Sequence, residues 1–160
     1  MLLKEISAGI IIYRKTKEGI KFLLLYHGGD YWNFPKGKIE AEERSFQTAV
    51  REISEETGLL RKDLKFLSPF KVYEKFTFWR GRGAAKAKVF KIVIFYLAQT
   101  MNPIVRVSRE HNGYAWFSYK EAMKILNKYK DSQKVLTRAH EFIGGPIRHK
   151  NISVIKKISP

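Results

Sequence analysis

The chain has 160 residues, 31 lysines and arginines against 15 aspartates and glutamates, and a formal net charge of +16. It contains no cysteine, which excludes disulfides and thiolate metal sites, and its four histidines, at 27, 111, 140 and 149, are too scattered for a zinc centre. No run of 18 apolar residues occurs and no charged-then-apolar leader opens the chain, so a soluble, cytoplasmic protein is expected, with no membrane partner.

Ser7–Tyr13 is apolar and β-branched and reads as a strand; Lys15–Gly19 is a polar turn, and Lys21–Tyr26 a second, buried strand. His27–Asp30 is a glycine-rich loop, and Trp32–Lys36 leads into an acidic stretch. Ser45–Thr57 reads as a helix. Phe46, Ala49, Val50 and Ile53 make one apolar stripe, Ser45 is a candidate N-cap, and Gly58 stands where a left-handed C-terminal cap would be. Leu64–Val72 mixes strand character with a break at Pro69. Tyr73–Trp79 alternates like a hairpin arm, Arg80–Lys88 is a long basic tip, and Val89–Ala98 is the strongest strand. Val105–Gly113 is a loop and Tyr114–Phe117 a short strand. Ser118 with Glu121 forms a capping box opening a helix to about Lys128; Ser132–Phe142 is the last helix, broken at Gly144–Pro146. At 44% hydrophobic residues, these elements suit a single domain over 1–160, with a core at about 3–143 and a basic tail at 144–160. Irregular mixing of strands and helices predicts an α+β fold, the acidic helix packed on a mixed sheet.

On that helix Glu52, Glu55 and Glu56 fall at i, i+3 and i+4, on one face away from the apolar stripe. Clustered carboxylates repel unless a cation neutralises them, and hard oxygen donors suit Mg²⁺, or Mn²⁺, shared with substrate phosphates. Six of the 15 acids of this basic protein lie between Glu40 and Glu56. A merely solvated helix face is a poor explanation for such a concentration.

The run from Gly37 to Leu59 places Gly37, Glu43, Arg51, Glu52, Ile53, Glu55, Glu56, Gly58 and Leu59 at the spacing of the Nudix box, and the chain resembles the Nudix hydrolases. The resemblance implies an α/β/α sandwich over roughly residues 3–143 and cleavage of diphosphate linkages. It implies that Glu52, Glu55 and Glu56 ligate metal, that the Gly37 carbonyl adds a ligand, and that Glu43 and Arg51 brace the loop on the helix.

The Trp32–Glu40 and Ser108–Ala122 segments resemble, more narrowly, the asymmetric diadenosine tetraphosphate hydrolases of that family. By that resemblance Glu110 approaches the metals and Tyr114 stacks on a nucleobase. Phe95 stands where a second aromatic, usually Tyr, is found; stacking or core packing would each suit it. Lys36 is placed to reach phosphates; His27 and Tyr31 are candidates for a base or the phosphate chain, and Lys88 and Lys91 for phosphates. Residues 71–91 hold seven bases against one acid, and residues 120–160 ten against three. This balance suits a nucleotide polyphosphate, RNA, or solubility alone. Two alternatives stay open: a Nudix enzyme acting on RNA 5' ends, and a binding module that has lost catalysis. Oligomeric state is not legible.

Overall fold

The computed structural model describes residues 2–144. Eight strands form one mixed sheet: β1 (Leu2–Thr16), β2 (Gly19–Gly28), β3 (Tyr31–Asn33), β4 (Lys36–Lys38), β5 (Leu64–Phe66), β6 (Val72–Arg80), β7 (Ala87–Thr100) and β8 (Gly113–Ser118). Helices are α1 (Ser45–Thr57), α2 (Tyr119–Ile125) and α3 (Lys130–Gly144). The path runs β3-β2-β1-β7-β5, with β4 paired to β1, β6 to β7 and β8 to β2. Among the described strands only β1 and β7 run parallel, from Leu2–Lys88 to Tyr13–Gln99. This long pairing carries β1 well beyond the predicted Ser7–Tyr13, through Lys4 and Glu5, whose polarity hides the strand in the sequence.

Side chains alternate across the sheet, so each strand supplies two cores. Ile10, Ile12, Leu23 and Leu25 bury against Ala49 and Ile53 of α1. Ile11, Tyr13, Leu24, Val93 and Phe95 bury against α2 and α3, through Ala122, Val135, Leu136 and Ala139. The result is the expected α/β/α sandwich.

Several boundaries differ from expectation. Gly28 and Gly29, at φ 104° and 57°, make the turn after β2, so His27 is in the strand. The N-cap of α1 is Arg44, not Ser45: the Gln47 side chain accepts from the Arg44 amide at 2.9 Å, while the Ser45 hydroxyl bonds that of Tyr96. Gly58 closes the helix in the left-handed region at φ 74°. The capping box of Ser118 and Glu121 forms, but α2 ends at Ile125, because the chain turns to bury Leu126. The basic tail beyond Gly144 lies outside the described residues.

Candidate active site

The Gly37–Leu59 run folds as β4, a turn and α1. Glu43 ties the turn to the helix: it accepts from the Glu40 amide (2.9 Å), the Thr48 hydroxyl (3.2 Å) and the Arg51 guanidinium (2.8 and 2.9 Å). This holds Glu42 at φ 68°, a left-handed conformation that non-glycine residues avoid. The Arg51 hydrogen bonds, with help from the Glu40 amide, keep the Glu43 carboxyl at about 2, well below its ordinary value. Arg51 also donates to the Lys38 carbonyl (3.1 Å), Glu52 (2.9 Å) and Glu55 (3.2 Å), so one guanidinium stands among the carboxylates.

Gly37 pairs with Ala8, whose side chain lies on the α1 face, so Gly37 also faces α1. A Cβ there would overlap the Glu52 carboxyl group, and only glycine allows that approach. Glu55 is exposed on the helix. Glu56, expected on the open face, is only 6% exposed. Burial and the adjacent Glu52 carboxylate push its carboxyl up to about 9, against the pull of Lys36. Glu52 and Glu56 therefore crowd together in a way that a proton or a cation must relieve. Among the described residues no three His, Asp or Glu side chains are gathered to hold an ion as they stand. The donors nonetheless fit a divalent cation: they are hard oxygens, they crowd, and Glu55 is free to turn at an exposed edge.

The 105–113 loop closes over this end of α1. The Arg106 backbone amide donates to the Thr57 carbonyl (2.8 Å) and the Ser108 amide to that of Glu56 (3.3 Å). Glu110 is exposed there. His111 is buried; its Nδ1 bonds the Ser108 hydroxyl (3.0 Å) and its Nε2 faces Glu56 at 3.4 Å. Burial holds His111 below its ordinary value despite the Glu110 charge. His27 packs edge-on to His111 and against Tyr31, and burial, then His111 and Lys36, push it down to about 4.

Lys36 pairs with Gly9 and so points to the opposite face from Gly37. It enters a cavity of about 620 Å³ floored by Glu74, Phe76, Phe78 and Lys91 of β6 and β7. Tyr31 and Asn33 form one wall and the α2–α3 connection, Lys128–Ser132, the other. Tyr31 meets Tyr129 at a centroid distance of 5.4 Å, and Lys128 pairs with Asp30 at 2.8 Å, joining the two walls at the rim. Burial, with Lys36 beside it, lowers the Lys91 ammonium from its ordinary value.

The structure thus gathers Lys36, Lys91 and Tyr31 on one side of β4 and Glu52 and Glu56 on the other. Phe95 is corrected: it is fully buried, edge-on to Phe34 at 5.4 Å, and is core rather than a stacking surface. Lys88 is exposed on the face away from Lys91. Tyr114 is 40% exposed and pairs with Leu25 on the α1 face, away from the cavity. Sequence reasoning gave no role to His111, Glu74, Phe76 or Tyr129. Glu74 had a signal: within the alternation of β6 it shares the inward phase with Val72, Phe76 and Phe78.

A three-layer sandwich with an acidic helix on one side of a strand and a basic, aromatic cavity on the other suits a hydrolase of phosphoanhydride bonds. The chain is 33% identical over 147 residues to the asymmetrical bis(5'-nucleosyl)-tetraphosphatase of Sus scrofa, spanning 86% of this chain and 94% of that protein. The crystal structure of a C. elegans Ap4A hydrolase binary complex superposes with a TM-score of 0.72 at 28% identity, covering 87% and 97% of the two chains. An RNA pyrophosphohydrolase of Escherichia fergusonii is 27% identical over 133 residues, spanning 78% of this chain and 74% of that protein. The NUDIX domain model matches residues 3–139, and the chain belongs to the Nudix family. It is a pyrophosphohydrolase of a family that generally uses divalent metal ions.

Proposed function

We propose that this enzyme cleaves a dinucleoside tetraphosphate asymmetrically, releasing a nucleoside triphosphate and a monophosphate. The observation that carries this reading is the placement of two sites on either side of the three-residue strand β4: crowded carboxylates behind Gly37, and a lysine-fringed aromatic cavity in front of Lys36. A long polyphosphate with a base at its end matches that layout. The similarity to asymmetrical tetraphosphatases over most of the chain supports it.

Glu52, Glu55 and Glu56, with Glu110 and the Gly37 carbonyl, would hold Mg²⁺, or Mn²⁺ in its place. When bound, such an ion neutralises phosphate charge and acidifies water. Arg51 and Glu43 hold the β4–α1 turn, and so the carboxylates, in place. Lys36 and Lys91 meet the phosphates as point charges. Tyr31 and Phe76 offer ring faces to a base, His27 supports Tyr31, and Tyr114 is left for a group lying on the α1 side. A carboxylate of the cluster takes the proton of the attacking water.

Product analysis tests this. Purified protein with Mg²⁺ and diadenosine tetraphosphate should give ATP and AMP; two ADP, or no cleavage by folded protein, would overturn the assignment. A second reading, action on RNA 5' ends, draws support from the outer face of β6. There Tyr73 and Trp79, 50% and 59% exposed, alternate with Lys75, and Lys86 lies over the Trp79 ring. Turnover of 5'-triphosphorylated RNA that falls steeply with salt would favour it.

A further inference from the structure

Glu74 lies on the inward face of β6, between Val72 and Phe76; Arg80, the other charged residue in that phase, sits at the strand's end and is ion-paired to Glu5. Among the described residues Glu74 forms no ion pair, and its hydrogen bonds to the Ser132 hydroxyl are long, at 3.4 and 3.5 Å. A carboxylate has about four acceptor positions, more than the Ser132 hydroxyl can fill. The cavity lies directly over it, so a ligand there meets these acceptors. Rings of Phe76, Tyr31 and Tyr129 line the same space, and Lys36 and Lys91 stand beside it.

We propose that Glu74 is the base-reading group of this enzyme, accepting two adjacent N–H donors from the edge of a guanine and so making the cavity a guanine subsite. The proposal rests on the reading of the substrate as a nucleotide polyphosphate. Guanine presents N1–H and an exocyclic amine side by side, which matches the two oxygens of a carboxylate. Adenine presents one amine beside a bare ring nitrogen, whose lone pair would face the second oxygen. Burial pushes the Glu74 carboxyl above its ordinary value, and Asp131 adds to this, while Lys36, Ser132 and Lys91 oppose it. Two N–H donors would add to the side that favours the ionised form.

The test is calorimetric binding of GTP and of ATP to the full chain in EDTA, where no turnover occurs. A good bidentate contact discriminates by about fivefold or more, so GTP should bind at least about fivefold tighter than ATP. Glu74→Gln should reverse the preference, because a carboxamide can accept from the adenine amine and donate to its ring nitrogen. Glu74→Leu should level the two nucleotides while keeping the Tm. Equal binding, ATP preference or no binding by the native protein would overturn the proposal, as would a preference that survives both substitutions. Cleavage of diguanosine against diadenosine tetraphosphate, run separately, isolates the substrate reading. Failure to cut either, with the GTP preference intact, would sink the dinucleotide assignment and leave Glu74 as the base reader.

Discussion

Replacing Phe95 by alanine separates a core residue from a substrate platform. The ring is fully buried on β7, edge-on to Phe34 and clustered with Ile11, Leu24 and Val93. Truncating a phenylalanine in such a place removes its transfer free energy and leaves a cavity, together costing about 3–5 kcal/mol. Against a typical total of about 5–15 kcal/mol, all but the lowest of that range leaves the variant folded at 25 °C. For a domain of this size each kcal/mol moves the Tm by about 2–4 °C, so a fall of about 6–20 °C is expected. Thermal unfolding by circular dichroism reads the loss, and kinetics with diadenosine tetraphosphate at 25 °C read the site. KM should stay within about twofold. A tenfold rise in KM with the Tm unchanged would mean that the ring touches substrate, and the assignment of Phe95 to the core would be wrong.

Glu56→Gln should remove most turnover while the Tm holds, because burial already keeps that carboxyl protonated and a carboxamide is a neutral group of the same shape; near-native kcat would remove Glu56 from the machinery. Glu5 supplies a pH test of the β4 region. Its carboxyl bonds Arg80 at 2.5 Å and Lys38 at 3.1 Å, and these partners, Arg80 first, hold it at about 2 against an ordinary 4.5. The folded value lies below the unfolded one, so its contribution is complete above about 4.5 and disappears as pH falls to about 2. Urea midpoints of native protein and Glu5→Gln should therefore differ at pH 7 and converge towards pH 2. A gap constant with pH would show that packing, rather than charge, accounts for the difference.

The acidic helix was legible because its pattern is local: the apolar stripe, the left-handed Gly58 and the Gly37-to-Leu59 spacing all lie within one short run. Local reading failed where a distant partner decides the outcome. The polar start of β1 is a strand only because β7 pairs with it, and the burial of Glu56 depends on a loop some 50 residues later. Phe95 could not be told from a stacking ring, since alternation gives the face of a strand and not what covers it. Here Phe34 and the α2–α3 layer cover it. Glu74 was readable as an odd charge in an apolar phase, but the cavity above it depends on where the α2–α3 connection crosses the sheet.

The parallel pairing of β1 with β7 has a kinetic consequence. Its partners stand 86 positions apart, as in Tyr13 and Gln99, so the central seam of the sheet is a distinctly non-local contact, exceeded by the β2–β8 pairing, where Lys21 meets Ser118. On a ribosome β1 would emerge long before β7, with β2 and β4 pairing to it early and the edge that takes β7 left open. Until β7 arrives, Ile10, Ile11 and Ile12 lie on an open strand edge, the kind of surface that pairs with other chains. The same pairing that unites the two layers therefore delays the completed fold, and the chain is most exposed to aggregation during its own synthesis.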